Sequence, residues 1–182
     1  MQQTLLAFLA LLIATLLSFS QQQSSVQNQR QVVRAELQQM ALGVAMQTME
    51  MVRARAFDAA VKSGSSNPSD FAKEGNFGAV ADCRPVVSAR SDSPACDTIE
   101  DFHVCEVGTC EDDLPGNAYS TDFELAGGDR FPFDVAVTVR YVDSNFQPTG
   151  GQRAQKQVIV WVQDEDDRLT TPIRYSEVIA YP

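Results

Sequence analysis

The chain has 182 residues, 44% of them hydrophobic, which fits one domain of ordinary size plus an appendage. Its formal net charge of -10 leaves no basic stripe to neutralise phosphates, so nucleic acid is not an expected partner. The charge is also unevenly spread: no Asp, Glu, Lys or Arg precedes Arg30, and every acidic residue lies at Glu36 or beyond.

Residues 1–25 form the first segment. Within "TLLAFLALLIATLLSFS" the run from Leu5 to Leu17 is apolar except for Thr15. With its Thr and Ser flanks it reaches about 17 residues, the lower edge of what spans a bilayer. A secretory signal needs a basic n-region, and "MQQT" has none, so this segment is expected to stay with the chain as an apolar helix tip rather than be cleaved.

Residues 26–62 are expected to continue the same helix. From Gln21 to Lys62 there is no proline, and the only glycine is Gly43. Val26, Val33, Leu37, Met40, Val44 and Met51 share one stripe at helical spacing, and Leu42, Met46, Met49, Ala56, Phe57 and Ala60 make a second stripe roughly opposite. A helix over 2–62 would be on the order of 90 Å long, whereas a head built from the rest of the chain has a radius of gyration of about 14 Å. The first half of the rod is therefore expected to project. One stripe should meet the chain's own head, and the other, with the apolar tip, neighbouring copies of the chain.

"SGSSNPSDFAKEGNFG" ends the helix and opens a loop-rich region over 63–128. All four cysteines, Cys83, Cys96, Cys105 and Cys110, fall here, and an even count in a loop-rich region reads as two disulfides in an oxidising compartment. Cys105 with Cys110 looks like a hairpin staple across "EVGT", leaving Cys83 with Cys96, although the spacing permits three connectivities. Zinc is not expected, because there is no CxxC pair and His103 is the only histidine.

Residues 129–182 carry the strands. "FPFDVAVTVRYV" alternates Phe131, Phe133, Val135, Val137, Val139 and Tyr141 against Asp134, Thr138 and Arg140. "QKQVIVWVQ" places Val158, Val160 and Val162 on one face and Ile159 and Trp161 on the other, as in a strand covered on both sides. "IRYSEVIAYP" supplies a third. The expected fold class is α+β: a long N-terminal helix, disulfide-stapled loops, and an antiparallel meander packed on the upper half of the helix.

Chemical motifs are sparse. His103 has no evident nucleophile partner, "CEDD" (Cys110–Asp113) and "DEDDR" (Asp164–Arg168) lack the spacing and glycine of an EF-hand loop, and Trp161 reads as core. No phosphate loop, dinucleotide fingerprint or nucleophile elbow occurs. No catalytic residue, metal ligand or cofactor is assigned, and enzyme activity is not expected.

An apolar N-terminus running into one long helix, followed by a disulfide-bearing antiparallel sheet that ends the chain, resembles the type IV pilin superfamily, including the pseudopilins of secretion machines. The resemblance covers the whole chain as architecture and "TLLAFLALLIATLLSFS" as a compositional signature. It departs at Leu5, where most bacterial members carry a glutamate, and near residue 22, where many carry a proline. Register between subunits would then rest on packing and on Gln2, Gln3 and Thr4. The resemblance implies a subunit held in the inner membrane before assembly, a leader peptidase and assembly machinery as partners, and an extracellular filament on the cell surface. The residues expected to carry assembly are Leu5, Leu6, Phe8, Leu9, Leu12, Ile13, Leu16, Leu17, Val26, Val33 and Leu37. Two other readings remain open: a minor pseudopilin, and a monomeric membrane-anchored extracytoplasmic binding protein using calcium in its acidic loops.

Overall fold

The first element is a helix, α1, over Gln2–Arg53. The computed structural model describes residues 2–78, 96–111, 114–115, 118–124, 128, 130–166, 168–169 and 171–181; within α1 it does not describe the side chains of residues 2–10, 14, 16, 17, 20 and 23–26. The chain divides into two units, 1–37 and 38–182. The first consists of helix from Gln2 onward, and the second holds the rest of α1 with the whole sheet.

The helix is shorter than the expected 2–62. It stops at Arg53, and a separate turn of helix, α2, covers Ala59–Lys62. Nothing in "MVRARAFDAAVK" breaks a helix by propensity, so tertiary contacts impose the break. Ala56 leaves the helix to bridge in parallel with Thr98: its N–H donates to the Asp97 carbonyl at 3.2 Å, and its own carbonyl accepts from Ile99 N at 3.0 Å. Asp58 then caps α2, its carboxylate accepting from Ala60 N at 3.1 Å.

Four antiparallel strands follow, β1 (Tyr119–Glu124), β2 (Arg130–Tyr141), β3 (Gln155–Asp164) and β4 (Ile173–Ala180), in spatial order β1-β2-β3-β4. The expected three-stranded meander is β2 to β4. The additional strand, β1, lies inside the stretch expected to be loop. "YSTDFE" is short and half polar, which an edge strand tolerates because one of its sides and one of its faces meet water.

The register sets two layers of core. Val135 faces Val162, Val137 faces Val160, and Val139 faces Val158 across β2 and β3, and all are buried. Ala136 with Trp161 and Thr138 with Ile159 form the opposite face. That second face is buried too: Cys105, Cys110, Ala136, Ile159 and Trp161 pack together with Val104, Val107, Leu114 and Ala118 around them. The Trp161 indole N–H donates to Thr138 Oγ1 at 3.1 Å, and that hydroxyl donates to the Cys105 carbonyl at 2.7 Å, so both of these buried groups are satisfied. The Cys105–Cys110 disulfide forms as expected, but it closes a helical turn, α3 (Val107–Cys110), rather than a hairpin. Cys96 is also disulfide-bonded, and the expected pairing with Cys83 lies outside the described residues.

The face that α1 buries in the second unit takes Val44 from the first expected stripe and Met49 from the second, and coincides with neither stripe as a whole. That face is Ala41, Val44, Ala45, Thr48, Met49 and Val52, all nearly inaccessible, while Leu42 and Met46 of the second expected stripe are exposed. The Tyr119 hydroxyl donates to Thr48 Oγ1 at 3.4 Å and Arg53 pairs with Glu177 at 3.4 Å, which ties the helix to β1 at one side of the sheet and β4 at the other. Small side chains at 41, 45 and 48 let the helix approach closely, and that shape outweighs the larger apolar area of Leu42 and Met46. Of the first stripe, Leu37 and Val44 are buried and Val33 is exposed. Ala56, Phe57 and Ala60 lie beyond the end of α1.

Ala45→Leu should overpack this seam and lower stability by about 1–3 kcal/mol, whereas Met46→Ala, at the next residue, should change it by less than about 0.5 kcal/mol. Denaturant unfolding of both variants checks the assignment of faces.

Candidate functional site

Two places in the molecule carry more than scaffold chemistry. The first is the uncovered surface of α1. Leu11, Leu12 and Ile13 are consecutive, so they point about 100° apart around the helix, and all three are more than half exposed at 67%, 53% and 52%. The apolar surface here is a belt rather than a stripe. Thr15, the polar interruption, turns its hydroxyl back onto the Leu12 carbonyl at 2.8 Å and so presents little unpaired polarity. Leu11, Thr15, Ser18, Phe19 and Gln22 border a shallow groove along one side. Further along, Val32, Val33, Leu42 and Met46 are also exposed, now among the charges of Arg30, Arg34 and Glu36.

Of the residues expected to carry assembly, Leu12, Ile13 and Val33 are thus on open helix surface, and Leu37 is buried. The side chains of Leu5, Leu6, Phe8, Leu9, Leu16, Leu17 and Val26 lie outside the described residues, although their backbone is helical. Among the described residues, no helix is long and apolar enough to cross a membrane.

The second place is a buried ionic cluster that the sequence reading did not identify. Lys156 has no solvent exposure. Its ammonium donates to the Phe57 carbonyl at 2.7 Å, Asp58 Oδ2 at 2.7 Å and Glu100 Oε2 at 2.8 Å, which uses all three N–H groups. Three rings wrap it, with the nitrogen 4.6 Å from the Phe57 centroid, 5.4 Å from Phe77 and 5.3 Å from Tyr141. Register brings Tyr141 opposite Lys156 across β2 and β3. The Tyr141 hydroxyl lies 3.1 Å from Asp58 Oδ2 and 2.8 Å from the Ala72 carbonyl. Burial, followed by the charge and hydrogen bond of Asp58, raises the Tyr141 pKa far above the ordinary phenol value and keeps the hydroxyl protonated. Asp58 Oδ1 accepts from the backbone N–H of Ala60 and of Ala72, each at 3.1 Å, and Glu100 Oε1 accepts from Ala59 N at 2.9 Å.

A signal for this cluster exists in the sequence. Lys156 has the same parity as Val158, Val160 and Val162, so a lysine stands on the inward face of a core strand and must find carboxylates there. Asp164 sits at the other end of the same face and is likewise buried. Its partners include the main-chain and side-chain nitrogens of Arg168, so among the described residues the buried carboxylate of "DEDDR" is held by arginine; Asp166 also contacts Arg168, at 3.2 Å. Burial alone would raise the Asp164 pKa, but the hydrogen bonds and charge of Arg168 outweigh it and hold the carboxyl below its ordinary value. In "CEDD", Asp112 and Asp113 lie outside the described residues. No group of three or more metal-binding side chains occurs among the described residues. His103 is structural: its Nδ1 accepts from Val139 N at 3.0 Å, and burial lowers its pKa, against the opposing charges of Glu106 and Glu74.

Comparison with family models, with curated proteins and with solved structures yields no match, so function must be argued from the chain's own surfaces and clusters.

Asp164→Asn tests the arginine clamp. A carboxyl whose folded pKa is depressed contributes stability above its unfolded value of about 3.9 and loses that contribution as pH falls through the folded value. The substitution should cost about 1–2 kcal/mol at pH 7, reduced by the solvent that reaches Arg168, and the gap to the parent should close as pH falls through the depressed folded value. Unfolding curves of both chains from pH 7 to 2 measure it.

Proposed function

We propose that the chain is a structural subunit of a pilus-like extracellular filament, assembling through α1 with the disulfide-bearing sheet as its outer domain. The observation that carries this reading is the set of exposed large apolar side chains on α1: Leu11, Leu12, Ile13, Phe19, Val32 and Val33 in the first unit, and Leu42 and Met46 in the second. Covering each large apolar side chain would contribute about 1.5–3 kcal/mol, so such a surface is unstable in water without a partner. Helices of further copies suit it better than lipid alone, because exposed Val32, Val33, Leu42 and Met46 continue beyond the first charges, Arg30, Arg34 and Glu36, where hydrocarbon would be a poor solvent. A belt at residues 11–13 calls for neighbours on several sides, as a helical bundle supplies. On this reading the subunit is held in the inner membrane before assembly and is handled by a leader peptidase and assembly machinery, as the likeness to type IV pilins implies.

Leu12→Glu should abolish filaments while leaving the sheet domain folded, since an unpaired carboxylate in a dry helical bundle costs several kcal/mol. Negative-stain microscopy of sheared surface material, with circular dichroism of the purified variant, reads both parts. Intact filaments from the variant sink the proposal. Parent chain that stays monomeric in detergent, with no filaments, favours the anchored binding protein, and scarcity in sheared material favours the minor pseudopilin.

A further inference from the structure

We propose that Lys156 and Asp58 condense into an intramolecular amide, with Glu100 as the catalytic acid–base, so that the mature chain carries a covalent cross-link between the α1–α2 junction and strand β3. The inference is independent of the filament reading and rests on the buried cluster alone.

Four features of the cluster coincide with what such a condensation needs. The nucleophile is held one bond from the electrophilic carbon, since Lys156 Nζ lies 2.7 Å from Asp58 Oδ2, an oxygen bonded to Cγ. A second carboxylate, Glu100 Oε2, touches the same nitrogen at 2.8 Å and can move its proton. Asp58 Oδ1 faces two backbone donors at 3.1 Å, Ala60 N and Ala72 N, the second shared equally with Oδ2, and these would stabilise the oxyanion of a tetrahedral intermediate. Asp58 Oδ2, the oxygen to be lost, accepts from the Tyr141 hydroxyl at 3.1 Å. The side chains of Lys156 and Asp58 are fully inaccessible and that of Glu100 is 5% exposed, so bulk water is kept from reversing the reaction.

The atoms balance without an added reagent. One ammonium proton passes along the hydrogen bond from Lys156 Nζ to Asp58 Oδ2, leaving a neutral amine beside a neutral carboxylic acid. The nitrogen lone pair attacks Asp58 Cγ, forming the C–N bond and placing negative charge on Oδ1. Glu100 takes the second proton from nitrogen and delivers it to the Oδ2 hydroxyl, which leaves as water when the Cγ–Oδ2 bond breaks and the Cγ–Oδ1 double bond re-forms. The third proton stays on the amide nitrogen. Two ions buried at a cost of several kcal/mol each become one neutral amide, and Glu100 ends as it began. Oδ1 becomes the amide oxygen and keeps both backbone donors.

The test is the intact mass of the full chain, purified in detergent with its disulfides reduced. The expected mass is about 18 Da below that of the sequence, the water released, and fragmentation should yield a branched peptide joining residues 58 and 156. Lys156→Arg and Glu100→Gln should both restore the full mass. A folded parent chain at full mass overturns the proposal, and that measurement needs no variant to fold. So does a deficit that persists in Lys156→Arg, which would mark dehydration of Asp58 onto its own backbone, or a branched peptide at another pair.

Discussion

A single lysine ammonium with no access to water dictates much of this architecture. Such a charge is tolerated only when every N–H has an acceptor and opposite charge lies close by. For Lys156 those acceptors come from two distant parts of the chain. The Phe57 carbonyl and the Asp58 carboxylate come from the link between α1 and α2, and Glu100 comes from a 3-10 turn over Ile99–Phe102. The break after Arg53, the Ala56–Thr98 bridge and the register of Tyr141 against Lys156 are all geometric conditions for that meeting. Gly78 shows how tightly the surroundings close: it sits at φ 68°, and a Cβ there would lie 2.1 Å from the His103 carbonyl oxygen.

The inner face of β3 carries a charge at each end and valines between. Lys156 and Asp164 are both buried, yet they are resolved in different ways. The lysine is met by groups brought in from far along the chain, whereas the aspartate is met four residues later by Arg168. The distant solution organises tertiary structure; the local one terminates a strand and shapes the turn beyond it. On the opposite face the polar groups are met locally: the Trp161–Thr138–Cys105 chain of hydrogen bonds satisfies the indole N–H and the Thr138 hydroxyl, and Arg140 bonds to Gln157 across the strands.

Strands β2 and β3 were legible from alternation, because runs such as Val135, Val137 and Val139 have one physical explanation. The pairing of Cys105 with Cys110 followed from their nearness. The helix end did not, since local propensity continues through residue 62 and the break is set by distant partners, the bridge of Ala56 with Thr98 and the bond of Ala59 N to Glu100. The buried helix face was misread because hydrophobicity weighs Leu42 and Met46 above Ala41, Ala45 and Thr48, while packing against a sheet rewards small side chains. Strand β1 escaped because its alternation, Tyr119, Thr121 and Phe123 against Ser120, Asp122 and Glu124, is short and only Tyr119 of it is buried. The assembly surface was read from composition, and three of its residues, Leu12, Ile13 and Val33, stand on open helix; the ionic cluster was readable only by asking why a lysine shares the parity of three valines.

The short link over residues 54–58 also sets how a mechanical load would travel. Tension along the part of α1 that packs on the sheet is shared between its contacts there, Thr48 with Tyr119 and Arg53 with Glu177, and this link, which is fastened to Lys156 through the Phe57 carbonyl and the Asp58 carboxylate. Lys156 belongs to β3, an inner strand bonded along its length to β2 on one side and β4 on the other. A pull on the helix is therefore handed to the sheet, where many backbone hydrogen bonds would have to yield together, instead of to the loops after α2, which could be peeled away singly.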